Sequence, residues 1–158
     1  MTKNIELAGS CQCGNAHYQI HSPSVVSVAC HCNDCRKQSG SAFAVSLVVK
    51  STDVTFSNNL KTWERMTDTG RRNRAWFCPD CGNRIYHQDP DAPTVVRIRA
   101  GTLDNEQIPE PMVHVFTARK VPWLTFPDHV TLFEGQPEVD QLYAALEEAA
   151  ASSTKEES

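Results

Sequence analysis

The chain has no long apolar run. A bilayer-spanning helix needs ~20 consecutive apolar residues, and nothing here approaches that. The opening segment MTKNIELAGS lacks the apolar core of a secretory signal, so a cytoplasmic location is the expectation. Positive charge is short as well: 15 Lys and Arg stand against 19 Asp and Glu, for a net charge of -4. Such a chain has no broad field to attract nucleic acid, and only the group Arg71, Arg72 and Arg74 offers a local exception. It carries neither the basic nor the Pro-rich extension expected of a chromatin binder. Aromatic residues make up 8% of the chain, and Trp63, Trp76 and Trp123 read as core or pocket wall rather than a stacking surface. The partners expected are therefore small molecules, with no nucleic acid and no membrane.

No cysteine is scattered. All seven fall in three groups: Cys11 and Cys13, then Cys30, Cys32 and Cys35, then Cys78 and Cys81. An odd count excludes a complete disulfide framework, and in a reducing compartment clustered thiols bind metal more often than they pair. The layout reads as four thiolates for one zinc and three for a second.

Phe77-Cys78-Pro79-Asp80-Cys81-Gly82-Asn83 is a CxxC knuckle, and Gly82 can adopt the positive φ that turns backbone N–H groups toward the sulfurs. Cys11-Gln12-Cys13-Gly14 also ends in glycine. Residues i and i+2 of an extended segment share a side, so both its thiols can meet one ion while Gln12 points away. Cys30-His31-Cys32-Asn33-Asp34-Cys35 lacks that closing glycine. By the same alternation His31 faces away from Cys30 and Cys32. Spacing alone leaves two outcomes for this group: an open three-thiolate site, or a site closed by a distant His87 or His114. Each of these histidines, taken singly, reads as an ordinary hydrogen-bonded residue, and His17 and His21 read as solvent-exposed.

At 158 residues the chain has the length of one domain. Period-two alternation at Ala16, Tyr18 and Ile20 and at Phe43, Val45, Leu47 and Val49 predicts half-buried strands. Seven further β-like runs cover 25–29, 53–56, 74–77, 84–87, 94–100, 113–116 and 130–133, separated by Pro, Gly and Asn. The fold class is all-β with short strands. Leu142, Ala145, Leu146 and Ala149 form one helical stripe, with Asp140 as a candidate N-cap. We read residues 1–136 as the zinc-binding domain and 137–158 as a C-terminal helix with a disordered polar tail, SSTKEES.

The ordered segments GSCQCG, CHCNDCRKQSGSAF, FCPDCGN, RAGTLD and HVFTARKVPW together resemble the glutathione-dependent formaldehyde-activating enzyme family, whose domain is shared with centromere-protein-V-like proteins. The resemblance runs from Gly9 to about Gly135. It implies an Mss4-like, zinc-stapled all-β fold with two Zn²⁺ per chain. Cys11, Cys13, Cys78 and Cys81 would hold a structural zinc, and Cys30, Cys32 and Cys35 a catalytic one. The implied activity is that of a carbon–sulfur lyase, forming or splitting S-hydroxymethylglutathione from glutathione and formaldehyde. From their place beside the three cysteines, Arg36 and Lys37 would either meet substrate carboxylates or stand as a solvated surface pair, and Ser39, Ser41 or a water would serve proton transfer. The alternatives are the same chemistry on another small thiol adduct, or a non-enzymatic, zinc-stabilised binding module.

Overall fold

The computed structural model describes residues 3–104 and 108–156. Among them the chain forms β1 (Ile5–Ser10), β2 (His17–Ser22), β3 (Val26–Cys30), α1 (Asn33–Ser39), β4 (Ala44–Lys50), β5 (Val54–Phe56), β6 (Lys61–Met66), β7 (Arg72–Phe77), β8 (Arg84–Gln88), β9 (Val95–Arg99), β10 (Pro111–Val115), β11 (Thr131–Leu132) and α2 (Val139–Glu156). Each run with a strand pattern in the sequence is a strand. The structure adds β1, β6 and the short helix α1.

The chain groups into two units, residues 1–25 with 47–108 and residues 26–46 with 109–158. The first unit holds two sheets. In one, β1, β2 and β5 pair antiparallel, with Tyr18 opposite Phe56. Alternation along β2 buries Tyr18 and Ile20 and leaves His17 and His21 exposed, as their polar face requires. Gly9 is opposite Tyr18, and a Cβ there would lie 2.1 Å from the tyrosine ring, so only glycine fits. The Tyr18 hydroxyl pairs with the Thr102 hydroxyl at 2.8 Å.

The other sheet of this unit runs β4-β9-β8-β7-β6, with residues 47–50 of β4 at its end. On one of its faces Trp76, Tyr86 and Phe56 stack, with ring centroids 4.4 and 3.8 Å apart. Trp76 thus lies in packed structure as expected. Trp63 and Trp123 do not: they are 52% and 71% exposed. Arg72 and Arg74 of the candidate basic patch both pair with Glu64, and Arg72 also meets Asp91 at 3.0 Å.

In the second unit the order is β11-β10-β3-β4, with residues 44–46 of β4. Strand β10 is parallel to both β3 and β11, placing Val115 opposite Cys30. Helix α2 packs on β10 and β3 with Leu142, Ala145, Leu146 and Ala149 buried, the stripe read from the sequence. Its first turn begins earlier than expected. The Glu138 carbonyl accepts from Leu142 N–H, and the Gln141 side chain accepts from Glu138 N–H. Glu138 is therefore the cap and Asp140 sits inside the first turn, where its charge still complements the helix dipole. The helical backbone continues to Glu156, through most of the polar tail. The final two residues of that tail lie outside the described ones.

Candidate metal centres

The first unit brings Cys11, Cys13, Cys78 and Cys81 together, with all four sulfurs within 4.8 Å of one another. Two loops of like wiring do this. Cys11 N–H bonds to Ala16 O at 2.8 Å and Gly14 N–H to Cys11 O at 3.0 Å. Cys78 N–H bonds to Asn83 O at 2.9 Å and Gly82 N–H to Cys78 O, also at 2.9 Å. Gly14 and Gly82 have φ of 84° and 77°, the left-handed conformation that lets each loop close so tightly. The loops also grip one another, since Gln12 N–H donates to the Asn83 side chain and Asn15 to Asp80.

Tetrahedral zinc with Zn–S of about 2.3 Å sets sulfurs about 3.8 Å apart. Cys11 and Cys13 lie 3.5 Å apart and Cys13 and Cys78 3.7 Å apart, so donor type, number and spacing all fit a soft divalent ion. Burial pulls the Cys11 thiol up, but the Ala16 N–H and the three neighbouring thiols outweigh it and hold Cys11 down at about 6. The anion is thereby favoured at Cys11, whereas at Cys13 the Asn15 N–H is outweighed by the neighbouring thiols and burial, which push it up to about 12.

The second unit brings Cys30, Cys32 and Cys35 together, likewise within 4.8 Å. Cys30 ends β3, Cys32 caps α1, and Cys35 lies in its first turn. The Cys32 sulfur accepts the Cys35 N–H at 3.3 Å and stands 3.3 Å from the Cys30 sulfur. Hydrogen bonds from the Cys30 and Cys35 thiols pull Cys32 down to about 2, while Cys32, Cys35 and burial push Cys30 strongly up. No fourth Cys, His, Asp or Glu joins this group among the described residues. His87 and His114, the distant candidates, are not in it.

His31 explains why. It is fully buried and its ring is directed into the unit, where it lies against Phe43, His114 and Phe126. Its Nε2 shares a hydrogen bond of 3.0 Å with His114 Nδ1. Burial, then the nearby His114 and Lys120, lowers His31 to about 4, and burial lowers His114 too. The pair is therefore neutral near pH 7. His31 N–H also bonds to Val115 O at 3.1 Å, tying the backbone between the two cysteines to β10. Sequence alternation signals that His31 turns away from the cysteines. That His114 receives it depends on the parallel β3–β10 pairing, which no local pattern reveals.

Of the other expected site residues, Arg36 and Lys37 are exposed in the last turn of α1. Ser39 donates to Cys35 O at 2.7 Å, so its hydrogen is engaged in closing the helix. Ser41 is exposed just past Gly40. All four lie on the same short segment as Cys35.

With this geometry in view, comparison with known proteins is direct. Residues 6–119 match the family model described as glutathione-dependent formaldehyde-activating enzyme, and the chain belongs to that family. It is 30% identical over 129 residues to a protein of Halomonas elongata named "Putative glutathione-dependent formaldehyde-activating enzyme", covering 75% of this chain and 79% of that one. A crystal structure of a Rhodobacter sphaeroides protein shares the fold, with a TM-score of 0.50 at 21% identity over 64% of this chain and 91% of that one. No described helix is long and apolar enough to cross a membrane.

Proposed function

We propose that the chain is a zinc-dependent carbon–sulfur lyase acting on the adduct of a small thiol and an aldehyde, with glutathione and formaldehyde as the reference pair. One observation carries this reading: four sulfurs converge in one cluster and three in the other, with no further donor at the second among the described residues. Four thiolates complete a tetrahedral zinc, and three leave a position for a ligand. The family description, which names glutathione and formaldehyde, supports the same chemistry.

In this reading Cys11, Cys13, Cys78 and Cys81 hold a structural zinc and Cys30, Cys32 and Cys35 a catalytic one. Cys30, Cys32 and Cys35 would hold that ion, which would supply a position that favours the thiolate form of a bound thiol near neutral pH. The reaction itself is balanced without redox change. A carbon–sulfur bond forms as the thiol proton ends on the aldehyde oxygen, and the lyase direction reverses both. Arg36 and Lys37 bind carboxylates of an anionic thiol and so orient it. Ser39, whose hydrogen is engaged, can only accept a hydrogen bond. Exposed Ser41, or water, moves the proton at the hydroxymethyl oxygen. His31 acts by holding the cysteine backbone in place.

Cobalt in place of zinc gives an absorption spectrum that reports sulfur ligation. Glutathione should change that spectrum, and S-methylglutathione, which has no thiol, should leave it alone. Arg36→Ala or Lys37→Ala should weaken the glutathione response by about 1 kcal/mol each. An unchanged spectrum with glutathione would point to another thiol or to a non-enzymatic module. An equal response to both compounds would exclude recognition through sulfur.

A further inference from the structure

Strands β6 to β9 carry a line of side chains in register: Trp63 opposite Ala75, Ala75 opposite His87, and His87 opposite Arg97. Residues in register share a sheet face, and so do residues two apart along a strand. Arg65 therefore joins Trp63, and Arg99 joins Arg97. A register shift after Trp76 sets Arg84 opposite Phe77, and its guanidinium lies over the Trp63 ring, 5.5 Å from the centroid. Arg99 is only 9% exposed. Neither cysteine cluster uses any of these residues.

Two polar atoms on this face are buried and, among the described residues, without a hydrogen-bond partner: Arg84 Nη1 and His87 Nδ1. Proteins seldom leave such groups unmatched, least of all on a cation. The charges that act most on these two groups are cationic. Burial and then Arg99, Arg97, Arg65 and Arg84 drive His87 well below the usual histidine range. Burial and then Arg99 and Arg65 lower Arg84. Among the described residues no carboxylate is one of these influences on either group. By strand alternation Glu64 belongs to the opposite face, where it serves Arg72 and Arg74. The sheet thus matches Arg72 and Arg74 with acid on one side and leaves two donors, Arg84 Nη1 and His87 Nδ1, buried on the other.

We propose that this face binds a small oxyanion, the phosphate or carboxylate group of a small molecule, through Arg84 and His87. An oxyanion offers both missing acceptors at once. The planar guanidinium suits a two-oxygen contact, and His87 in its Nδ1–H form donates to the same group. Trp63 holds the Arg84 plane from beneath. The site stands apart from the proposed lyase chemistry and does not depend on it.

Calorimetry on the metal-loaded protein tests this with inorganic phosphate, and with S-methylglutathione as a carboxylate that has no thiol, at constant ionic strength. Binding of phosphate alone, of S-methylglutathione alone, or of both supports the site and tells which oxyanion it takes. Arg84→Met should weaken that binding by about tenfold or more. It should also raise the melting temperature in oxyanion-free buffer, by removing a buried donor that has no partner, and abolish any gain that the anion gives the wild type. Resonances of the His87 ring should shift during the titration, a readout that survives if Arg84→Met does not fold. Absence of binding to both compounds overturns the proposal. So does binding that leaves the His87 resonances unmoved, or that Arg84→Met and His87→Gln both retain at wild-type strength.

Discussion

His87 is neutral in the folded chain because burial and its arginine neighbours disfavour a proton. In the unfolded chain an ordinary histidine takes up that proton below about pH 6.5. Between that pH and the lowered folded value, the unfolded state binds more protons. Its contribution to stability is therefore complete above about pH 6.5 and is lost as pH falls, by up to about 1.4 kcal/mol per unit. His87→Asn removes this term while every carboxylate and thiol titrates as before. Urea unfolding in oxyanion-free buffer at about pH 7 and about pH 5.5 should show a smaller loss for the variant than for the wild type. Parallel losses would mean that His87 is charged, or exposed, in the folded state. Legibility at this scale was uneven, for a physical reason. Cysteine groups announce themselves because ligand spacing is local. The unmatched state of His87 is not local: it needs Arg97 across the β8–β9 ladder and Arg84 beyond a register shift. The exposure of Trp63 and Trp123 was likewise invisible, since residue type sets a tendency to be buried and only the fold decides it.

Helix α1 has seven residues and buries none of them. Packing does not hold it; its ends do. The Cys32 sulfur caps the start, and Gly40 closes the end at φ 64°, with its N–H on Arg36 O at 2.9 Å. A helix this short is unstable alone, so the cysteine cluster and the helix support each other. Gly40→Ala puts a side chain into a left-handed conformation at a cost of roughly 1–2 kcal/mol. We expect that cost to appear locally, as several-fold faster release of metal from the three-cysteine cluster to a chelator, with little change in melting temperature. Unchanged release, or a large fall in melting temperature, would contradict it. The elements that the sequence did not disclose share this dependence on context. Strand β6 (KTWERM) is exposed along nearly its whole length, and β1 has only one buried residue, so neither shows an apolar alternation. The strands with alternating or continuous apolar runs, and the stripe of α2, were legible because each buries a face.

Across the whole molecule the two cysteine clusters differ in reach. The four-cysteine cluster joins Cys13 to Cys78, 65 residues apart, while the other spans only residues 30–35. Closing a long loop with a metal adds the binding energy directly to folding, whereas a local site stiffens little beyond itself. Cys78→Ser should therefore lower the melting temperature strongly, by several kcal/mol of stability. Cys35→Ser should leave the fold in place and empty the second site. Thermal melts and metal content of the two variants decide this, and similar melts would end the division into structural and catalytic sites. Family membership was readable at this scale from ordered motifs alone. The grouping into two units was not, because it depends on which distant strands pair.

Those units are interleaved along the chain, and this sets an order of events during synthesis. The three-cysteine motif is complete once Cys35 has emerged, yet the strand that covers His31 and receives its N–H lies at 111–115. The four-cysteine motif must wait for Cys81. On a growing chain, then, the first metal-competent site is the one with an exposed, unfinished surround. Neither unit can fold in full before residue 108, since the first is interrupted by 26–46 and the second resumes only at 109. The early thiol cluster must therefore stay reduced at least until the strand at 111–115 has been made.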